Sequence, residues 1–414
     1  MTVPDAEGYA AAMRWLHSRQ RRGIDLGLER IRDLLGALGD PHRSFRIVHV
    51  AGTNGKGSVA TLLARILSFG GHRTGLYTSP HLIRFTERIQ VDGAEISREE
   101  LVAVLSRVRA AASGLASAGD LTFFEICTAT ALLHFADQEV SWAVIETGMG
   151  GRLDATNVVH GDVAVITNVA LDHTDYLGDD VESIAAEKAG IIEPGAPLVT
   201  GASGAALEVL KRHTGGEVVV AASGANDGTP MATLGVHQRH NAAVVRATCQ
   251  VLRDMGVSIS DDHIDQVMTT TSLPGRLETF EYDTVTVTID AAHNAAGAEA
   301  VARHLDAGPR HHMILGFNQD KDWETMLDLL LPHALRVWAV PVRSPRSLPP
   351  QAVADYAKAH SHVEIGVSSN VAEAMERAKE VGARDLLVTG SGTLAGEARA
   401  ILTGQPLDEV DGSR

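Results

Sequence analysis

The chain has 414 residues, of which 44% are hydrophobic and 21% are charged, and this length permits two or three packed domains. Its formal net charge of −16 argues against nucleic acid or an anionic membrane as the main partner, although an anionic substrate needs only a local basic site. Cys127 and Cys249 lie in apolar helical contexts and are interpreted as reduced core residues. No run approaches the ~18 apolar residues that span a bilayer, and no apolar signal region is visible, so we expect a cytoplasmic protein.

After two amphipathic helical segments, the first strong pattern is FRIVHVAGTNGKGS at residues 45–58. Its β-branched residues predict a buried parallel strand, its glycines predict a loop with inward-facing N–H groups, and the spacing after Ser58 predicts a helix. Such a loop suits phosphate, with Lys56 meeting the β/γ-phosphate charge and the Ser58 hydroxyl binding Mg²⁺. The strict P-loop pattern is not met because Gly57 separates Lys56 from Ser58, and a plain glycine-rich turn is the alternative.

Polar residues follow three more predicted strands: Ser79 after residues 73–77, Glu146 after residues 142–145, and His173 after residues 162–169. Ligands of open α/β sheets bind at the carboxyl ends of the strands, so Glu146 is placed like a Walker B carboxylate that contacts Mg²⁺ directly or through water. The alternatives are a solvated glutamate, a satisfied histidine and, for Lys188 on the next predicted helix, an ordinary surface lysine.

Helices alternate with these strands, which predicts a mainly parallel sheet. Residues 85–91 are expected to form a hairpin arm, and residues 201–236 an abbreviated sheet edge or a loose insertion. A fresh series of strands and helices beyond residue 285 predicts a smaller doubly wound sheet. We therefore expect two domains, residues 1–278 and residues 279–414.

Taken together, the motifs are similar to those of the bifunctional dihydrofolate synthase and folylpolyglutamate synthase family of the Mur-ligase superfamily. The resemblance covers nearly the whole chain. It rests on GLER at 27–30, HVAGTNGKGS at 49–58, TSPHL at 78–82, LTFFE at 121–125, GGRLDATN at 150–157, DH at 172–173, EKAG at 187–190, HQRHN at 237–241, PGRLE at 274–278, DAAHN at 290–294 and KD at 321–322. The resemblance implies an α/β protein, with a P-loop Mur-ligase-type central domain built on a mainly parallel sheet and a smaller Rossmann-like C-terminal α/β domain.

The resemblance also implies roles for individual residues. ATP would be bound by Gly55, Lys56, Gly57, Ser58, Asn241, Arg276 and Asp290, and two Mg²⁺ ions by Ser58, Ser79, Glu146 and His173. The pterin substrate would meet Gly27, Leu28, Glu29, Arg30, Thr122, Phe123, Phe124, Glu125, Leu153, Asp154 and Ala155. Lys56, Lys188 and His293 would be catalytic, with Lys188 carried as a carbamate, and Ser391 would lie near the incoming glutamate.

The implied activity is an ATP-dependent ligase that adds L-glutamate to dihydropteroate and to folates through an acyl phosphate. We expect a monomer that acts on ATP, L-glutamate and dihydropteroate or a reduced folate, with no nucleic acid or membrane partner. There are three alternatives. The protein has only one of the two activities, it is a Mur-type ligase with a non-folate acceptor, or it is a catalytically silent nucleotide-binding scaffold. Arg84 and Arg88 are either solvated or attract folate carboxylates.

Two positions depart from the family pattern. Ala295 stands where the family usually has proline after the His-Asn pair, and Gly392-Thr393 follows Ser391 where bulky residues are expected. Glutamate orientation is therefore less well defined by the sequence than ATP binding.

Overall fold

The computed structural model describes residues 6–20, 25–221, 231–232, 235–306 and 308–408. The chain divides into two compact units. The first comprises Met1–His81, Thr86–Pro230 and Arg239–Thr269, and the second comprises Leu82–Phe85, Met231–Gln238 and Thr270–Arg414. Within the described ranges, no helix is both long enough and apolar enough to cross a membrane.

The first unit is built on a sheet of eight strands among the described residues, in the order β4-β3-β2-β5-β1-β6-β7-β8. The strands are β1 Arg46–Ala51, β2 Thr74–Tyr77, β3 Ile89–Val91, β4 Ala94–Glu95, β5 Trp142–Glu146, β6 Val163–Ile166, β7 Leu198–Thr200 and β8 Val218–Val220. In this sheet order, the six strands β2-β5-β1-β6-β7-β8 pair in parallel, whereas β3 runs antiparallel to both β2 and β4. The prediction of a mainly parallel sheet is confirmed.

Helices follow these strands in alternation. They are α1 Ala6–His17, α2 Glu29–Ala37, α3 Lys56–Phe69, α4 Arg98–Ser113, α5 Phe123–Asp137, α6 Thr174–Leu177, α7 Val181–Ala189, α8 Gly204–His213, α9 Val236–Asp254 and α10 Asp261–Thr270. Capping boxes start α4 at Ser97 and α5 at Thr122, where each cap exchanges hydrogen bonds with a glutamate three residues on. Helix α5 is buried on every side from Glu125 to Phe135, which fits its uniformly apolar sequence.

The second unit has a sheet of six strands among the described residues, in the order β13-β12-β11-β14-β10-β9. Its elements are β9 Glu278–Tyr282, β10 Val285–Ile289, α11 Ala295–Leu305, β11 His311–Leu315, α12 Trp323–Leu330, β12 Ala334–Ala339, α13 Pro350–His360, β13 Glu364–Val367, α14 Val371–Glu380, β14 Asp385–Thr389 and α15 Gly392–Thr403. Only β9 is antiparallel to its neighbour. Met313 and Leu315 belong to one apolar core and Ile314 to another, so helices cover both faces and the Rossmann-like prediction is confirmed.

Three local expectations change in detail. The segment from residue 201 to residue 221 forms α8 and the edge strand β8, which favours the sheet-edge alternative; residues 222–230 and 233–234 lie outside the described part of the chain. The predicted hairpin arm at residues 85–91 begins instead with a 3₁₀ turn at Phe85–Arg88, and its hairpin is β3–β4. The strand expected over residues 162–169 ends at Ile166, because the residues beyond it turn towards the loop after β1.

Candidate active site

The glycine-rich loop after β1 lies at the carboxyl edge of the first sheet and leads directly into α3. Gly55 caps α3 with φ +82°, and a Cβ at this position would overlap the Asn241 side chain of α9. A Cβ on Gly52 would overlap the Thr167 hydroxyl that follows β6. Both glycines therefore permit close approach to neighbouring elements, which a merely flexible turn would not require.

Hydrogen bonds fix this loop to the segment that follows β6. Thr53 N donates to Asn168 O at 3.0 Å, and Asn54 N donates to Asn168 Oδ1 at 3.0 Å. Asn168 Nδ2 and Thr167 Oγ1 both donate to Asn54 O, at 3.0 and 2.7 Å. Thr53 Oγ1 donates to Ala170 O and accepts from Ala170 N. The loop is thus held in one shape by a second loop.

Two lysines converge on one carbonyl of the loop. Lys56 Nζ donates to Gly52 O at 3.0 Å and to Thr53 O at 3.1 Å, and Lys188 Nζ of α7 donates to Gly52 O at 3.0 Å. Lys188 is 3% exposed, which excludes an ordinary surface lysine. Burial and, next, the Lys56 ammonium lower the pKa of Lys188 from its usual 10.5 to about 7. A substantial share of Lys188 is therefore a neutral amine near neutral pH.

Ser58 lies in the first turn of α3, and Glu146 lies close to the residue before it, Gly57. Ser58 is buried, and its Oγ has no hydrogen-bond partner among the described residues. The Glu146 carboxylate at the end of β5 accepts from Ser79 N at 3.0 Å and would lie 3.4 Å from a Cβ on Gly57. A buried hydroxyl without a partner and a buried carboxylate near the preceding residue are hard-oxygen donors of the kind Mg²⁺ prefers, so these residues fit the metal that the sequence predicts.

His173 comes shortly after the segment 167–170 that holds the glycine-rich loop. Its backbone is left-handed with φ 51°, and its side chain is 39% exposed. Its Nε2 lies 3.9 Å from Asp172 Oδ1. Among the residues with described placement, no group of three or more His, Cys, Asp or Glu side chains is arranged to hold a metal ion. Ser79 N and the Cβ position of Gly57 contact Glu146, while the metal roles of Ser58, Ser79, Glu146 and His173 stay predictions.

Three of the residues predicted to meet the pterin are joined by a partly buried ion pair and a capping box. Arg30 Nε of α2 donates to Glu125 Oε1 at 3.1 Å, and its other nitrogens contact Asp25. Glu125 is 2% exposed and also accepts from Thr122 N in the capping box of α5. Arg30, Thr122 and Glu125 thus join the ends of two helices.

Just before α2, Leu28 is buried and its backbone N donates to Glu29 Oε2 at 3.1 Å. Gly27 precedes it with φ +151° and lies against the same carboxylate. The segment from Gly27 to Arg30 is therefore a fixed turn, as a binding loop requires.

Two half-buried phenylalanines open α5. The Phe123 ring stacks on His17 at 5.6 Å, and Arg88 lies over Phe123 at 5.6 Å. The Phe124 ring lies 6.1 Å from Tyr77 and packs against the backbone of Gly148. These aromatic surfaces can accept a planar ring.

Arg88 is buried, which excludes the solvated alternative for this residue. Its Nε donates to His81 Nδ1 at 2.8 Å. Burial and, next, the Arg88 charge hold the pKa of His81 well below its usual 6.5, so His81 can accept this hydrogen bond. Arg84, in contrast, donates to Gln405 Oε1 at 2.7 Å within the second unit.

Asp154 organises the loop after β5. Its carboxylate accepts from Met149 N at 2.8 Å, from Thr156 N at 3.0 Å and from Thr156 Oγ1 at 2.6 Å. Burial raises its pKa, and these hydrogen bonds oppose that rise. Leu153 is half-buried, and Ala155 is buried at the start of a 3₁₀ turn.

In the second unit, Asp290 at the end of β10 is 4% exposed and accepts from Leu277 N and Ala292 N, both at 2.9 Å. Burial raises its pKa, and the nearby Arg276 charge opposes the rise. His293 Nδ1 lies 3.0 Å from Ala291 O. Ser391 is buried and caps α15 by accepting from Leu394 N at 3.2 Å, a structural task that the sequence did not reveal.

The sequence analysis missed several residues that hold these groups in place. Thr53, Thr167 and Asn168 brace the phosphate loop, and His17 and His81 line the aromatic cluster. The polar Thr-Asn pair immediately after the β6 run was the available signal, because a strand expected to continue would not place two polar residues there.

Comparison with known proteins gives one consistent result. Residues 50–245 match the Mur ligase middle domain and residues 275–392 match the Mur ligase, glutamate ligase domain. A dihydrofolate synthase/folylpolyglutamate synthase from Bacillus subtilis is 34% identical over 79% of this chain and 84% of its own length.

Two solved structures extend the similarity to the fold. Escherichia coli FolC in complex with DHPP and ADP superposes with a TM-score of 0.84 and 29% identity, covering 97% of this chain and 99% of that chain. A bifunctional folylpolyglutamate synthase/dihydrofolate synthase with Mn, AMPPNP and L-glutamate bound gives a TM-score of 0.82 and 31% identity, covering 97% and 100%. With its braced phosphate loop and its two matched domains, the chain belongs to the dihydrofolate synthase/folylpolyglutamate synthase family of ATP-dependent Mur ligases.

Proposed function

We propose that this protein is an ATP-dependent ligase that joins L-glutamate to dihydropteroate and to folates. The observation that carries the proposal is the loop after β1, where Lys56 and Lys188 meet at Gly52 O. The same loop places Gly57 against the Glu146 carboxylate and leads to the unpartnered Ser58 hydroxyl. This arrangement suits the γ-phosphate of ATP and a divalent cation. Relatives solved with DHPP and ADP, and with Mn, AMPPNP and L-glutamate, support the same substrates here.

The chemistry follows from the low electrophilicity of a carboxylate. A carboxylate oxygen of the acceptor attacks the γ-phosphorus of ATP, and the bond between the γ-phosphorus and the β-phosphate oxygen breaks. The products are ADP and the acyl phosphate of the acceptor. The glutamate amine then attacks the carbonyl carbon, phosphate departs with the bonding electrons, and the nitrogen loses a proton to give the amide. Lys56 would stabilise negative charge on the transferring group from its fixed place in the loop.

Ser58, Ser79 and Glu146 are the residues that would hold Mg²⁺ in the first unit, with His173 as a further candidate. When bound, the ion supplies positive charge at the phosphates. The loop itself presents the backbone N–H groups of the first turn of α3.

We propose that Lys188 is carbamylated in the active enzyme. Its buried, partly neutral amine can attack CO₂, forming an N–C bond and releasing a proton, and this replaces a cation beside Lys56 with an anion. Lys188→Ala should lose activity and regain part of it with acetate. A ¹³C resonance from labelled CO₂ that is present in wild type and absent in Lys188→Ala would support the carbamate, and its absence from both would contradict it.

We propose that the acceptor ring lies against Phe124 and Phe123, within a site bounded by residues 27–30 and by the loop that carries Leu153, Asp154 and Ala155. The buried Arg88 guanidinium supplies the positive charge that an acceptor carboxylate needs. Residues 1–278 would thus bind the phosphates and the acceptor. Residues 279–414 would contribute to ATP and glutamate binding, together with Arg276, through Asp290, His293 and Ser391.

One experiment separates the alternatives. The protein is incubated with ATP, Mg²⁺ and L-glutamate, and with dihydropteroate or tetrahydrofolate in separate reactions, and the products are weighed by mass spectrometry. A gain of one glutamate on dihydropteroate and of one or more on tetrahydrofolate is the expected result. A gain with only one acceptor would reduce the proposal to a single activity, and a gain with neither would overturn it.

We further propose that the enzyme works in the cytoplasm as a monomer on these small molecules, without nucleic acid or membrane partners. The negative net charge and the buried, unpaired Cys127 and Cys249 agree with this assignment. Light scattering during size-exclusion chromatography should give the mass of one chain. A dimer mass would contradict the oligomeric part of the proposal.

A further inference from the structure

The loop between β5 and β6 carries much of the proposed acceptor site, and a few contacts determine its position. Gly148 packs on the Phe124 ring so closely that a Cβ on Gly148 would lie 2.6 Å from Phe124 Cζ. The Asp154 carboxylate accepts from Met149 N, the next residue, at 2.8 Å. Where Asp154 lies therefore decides where the Gly148 backbone meets the aromatic ring.

Asp154 is itself the end of a buried hydrogen-bond chain. Thr156 Oγ1 donates to Asp154 Oδ1 at 2.6 Å, and His49 Nε2 lies 2.9 Å from Thr156 Oγ1. Thr156 and His49 are 0% exposed and Asp154 is 5% exposed. An ionised carboxylate only accepts hydrogen bonds, so the single Thr156 hydroxyl proton points to Asp154, and His49 must donate through Nε2–H.

The other side of the imidazole agrees with this tautomer. His49 Nδ1 has no hydrogen-bond partner among the described residues, which is the less costly arrangement when that nitrogen carries no proton. Burial lowers the pKa of His49 to about 3, so the ring stays neutral at any physiological pH. The hydrogen-bonded series His49–Thr156–Asp154, called the tether below, therefore keeps the same hydrogen bonds across physiological pH.

The tether starts at a rigid point. His49 lies on β1, which pairs with β5 on one side and β6 on the other, and the phosphate loop begins directly after this strand. The chain His49–Thr156–Asp154 therefore fixes the acceptor loop to the strand that also sets the position of the phosphate loop.

We propose that His49 and Thr156 are positioning residues for the acceptor substrate, which hold the Asp154 carboxylate and, through Met149 and Gly148, the surface on which the acceptor ring lies. This inference rests on the proposed function. It extends that function by giving His49 and Thr156 a role in acceptor affinity, although both are buried and have no surface that could touch the substrate.

The test measures acceptor and nucleotide separately. Dihydropteroate binding in the presence of AMPPNP and Mg²⁺ is titrated by fluorescence, and KM values are measured for dihydropteroate and for ATP. Thr156→Val removes both hydrogen bonds of the hydroxyl, so the Kd and KM for dihydropteroate should rise about three- to tenfold while the KM for ATP changes less than twofold. Thr156→Ser, which keeps the hydroxyl, should restore the wild-type values.

The histidine end is tested independently. His49→Gln can supply an N–H donor near the Nε2 position, whereas His49→Leu cannot, so only His49→Leu should weaken dihydropteroate binding. These variants also keep the test decisive if Thr156→Val does not fold. The matched control is Thr248→Val, since Thr248 is 0% exposed and its hydroxyl donates only to Val244 O within α9.

The outcomes separate this inference from the function beneath it. A wild-type protein that adds glutamate to neither acceptor would overturn the proposed function. An active wild type in which Thr156→Val and His49→Leu bind dihydropteroate as tightly as Thr248→Val would overturn the inference alone. Equal weakening of dihydropteroate and ATP would also overturn it, because the network would then stabilise the fold in general.

Discussion

Gly52 O accepts hydrogen bonds from two ammonium groups, and this shared acceptor sets the electrostatics of the phosphate loop. Burial and the Lys56 charge disfavour the protonated form of Lys188, whereas the charges of Asp172 and Asp154 favour it. Lys188 is the more buried of the two lysines, and burial is the largest cause that lowers its pKa. An anion bound beside these two lysines would be stabilised by their positive charge.

The first residue-scale prediction concerns the stability cost of Lys188. Its folded pKa of about 7 is lower than the usual 10.5, so between these values the unfolded chain binds more protons, and stability rises with pH. In CO₂-free buffer, the stability of wild type minus that of Lys188→Met should rise from pH 7 to pH 9.5, by at most about 1.4 kcal/mol per pH unit. Urea unfolding followed by circular dichroism measures this difference.

Lys211→Met is the control for this prediction, because Lys211 is an exposed lysine on α8 that pairs with Glu208. The difference in unfolding free energy between wild type and Lys211→Met should not rise from pH 7 to pH 9.5 as it does for Lys188→Met. A flat difference for Lys188→Met would show that Lys188 is as easily protonated as an exposed lysine.

The second residue-scale prediction uses the orphaned hydroxyl of Ser58. Ser58→Ala removes a buried polar atom that has no partner among the described residues, so the apo protein should keep its stability or gain up to about 1 kcal/mol. Activity should fall, and the Mg²⁺ concentration for half-maximal rate should rise by at least about tenfold. Thermal melting and a Mg²⁺ titration of turnover check the two halves. A destabilised apo protein with normal Mg²⁺ dependence would assign Ser58 to packing.

At the scale of elements, the departure at Ala295 has a physical explanation. Ala295 is the first residue of α11, after Asn294, which caps the helix with φ −144° and ψ 167°. Proline is favoured at this position because the N–H it lacks has no partner within the helix, and an extended preceding residue is what proline requires. Alanine at this position therefore preserves the geometry of the helix start. Unlike proline, it does not restrict the conformations of the unfolded chain.

Ala295→Pro should accordingly stabilise the protein by about 0.4–1 kcal/mol without changing activity. Differential scanning calorimetry and the steady-state rate measure both effects. Ala296→Pro, one residue further into the helix, provides the contrast, since it should stabilise less or destabilise. A lower melting temperature for Ala295→Pro would show that the Asn294 cap is more tightly constrained than its dihedral angles indicate.

The elements also show which features the sequence could predict. The strand before the glycine loop and the mainly parallel series of strands followed from local periodicity. The brace from Asn168 to Asn54 and the contact of Lys188 with Gly52 join residues 114 and 136 positions apart, and nothing local records such pairs. The motif at Ser391 was visible, but its role as a helix cap depends on where α15 begins.

At the scale of the whole molecule, the second unit has its own complete core. The buried residues of both apolar clusters lie between Leu277 and Ala398, with Leu402 packed against one cluster. Every described pair of strands in its sheet lies within the same part of the chain. Residues 270–414 expressed alone should therefore fold and unfold cooperatively in urea.

That fragment should be less stable than the same unit in the full chain, because it lacks a short segment from earlier in the sequence. Phe85 N donates to Asp408 Oδ2 at 2.7 Å, and Asp408 N donates to Ile83 O at 3.0 Å. A synthetic peptide of residues 80–88 should raise the unfolding midpoint of the fragment. A broad, non-cooperative transition without the peptide would contradict the prediction of an independent unit.

The central place of β1 in its sheet has a consequence for the protein as it is being made. Both partners of β1, and the brace of the loop after it, are translated long after that strand has left the ribosome, and Asn241 follows later still. Until β5 and β6 have emerged, the chain carries an apolar strand with two unpaired edges and a glycine-rich loop without its brace. The interval before these partners emerge is therefore when this chain depends most on chaperones.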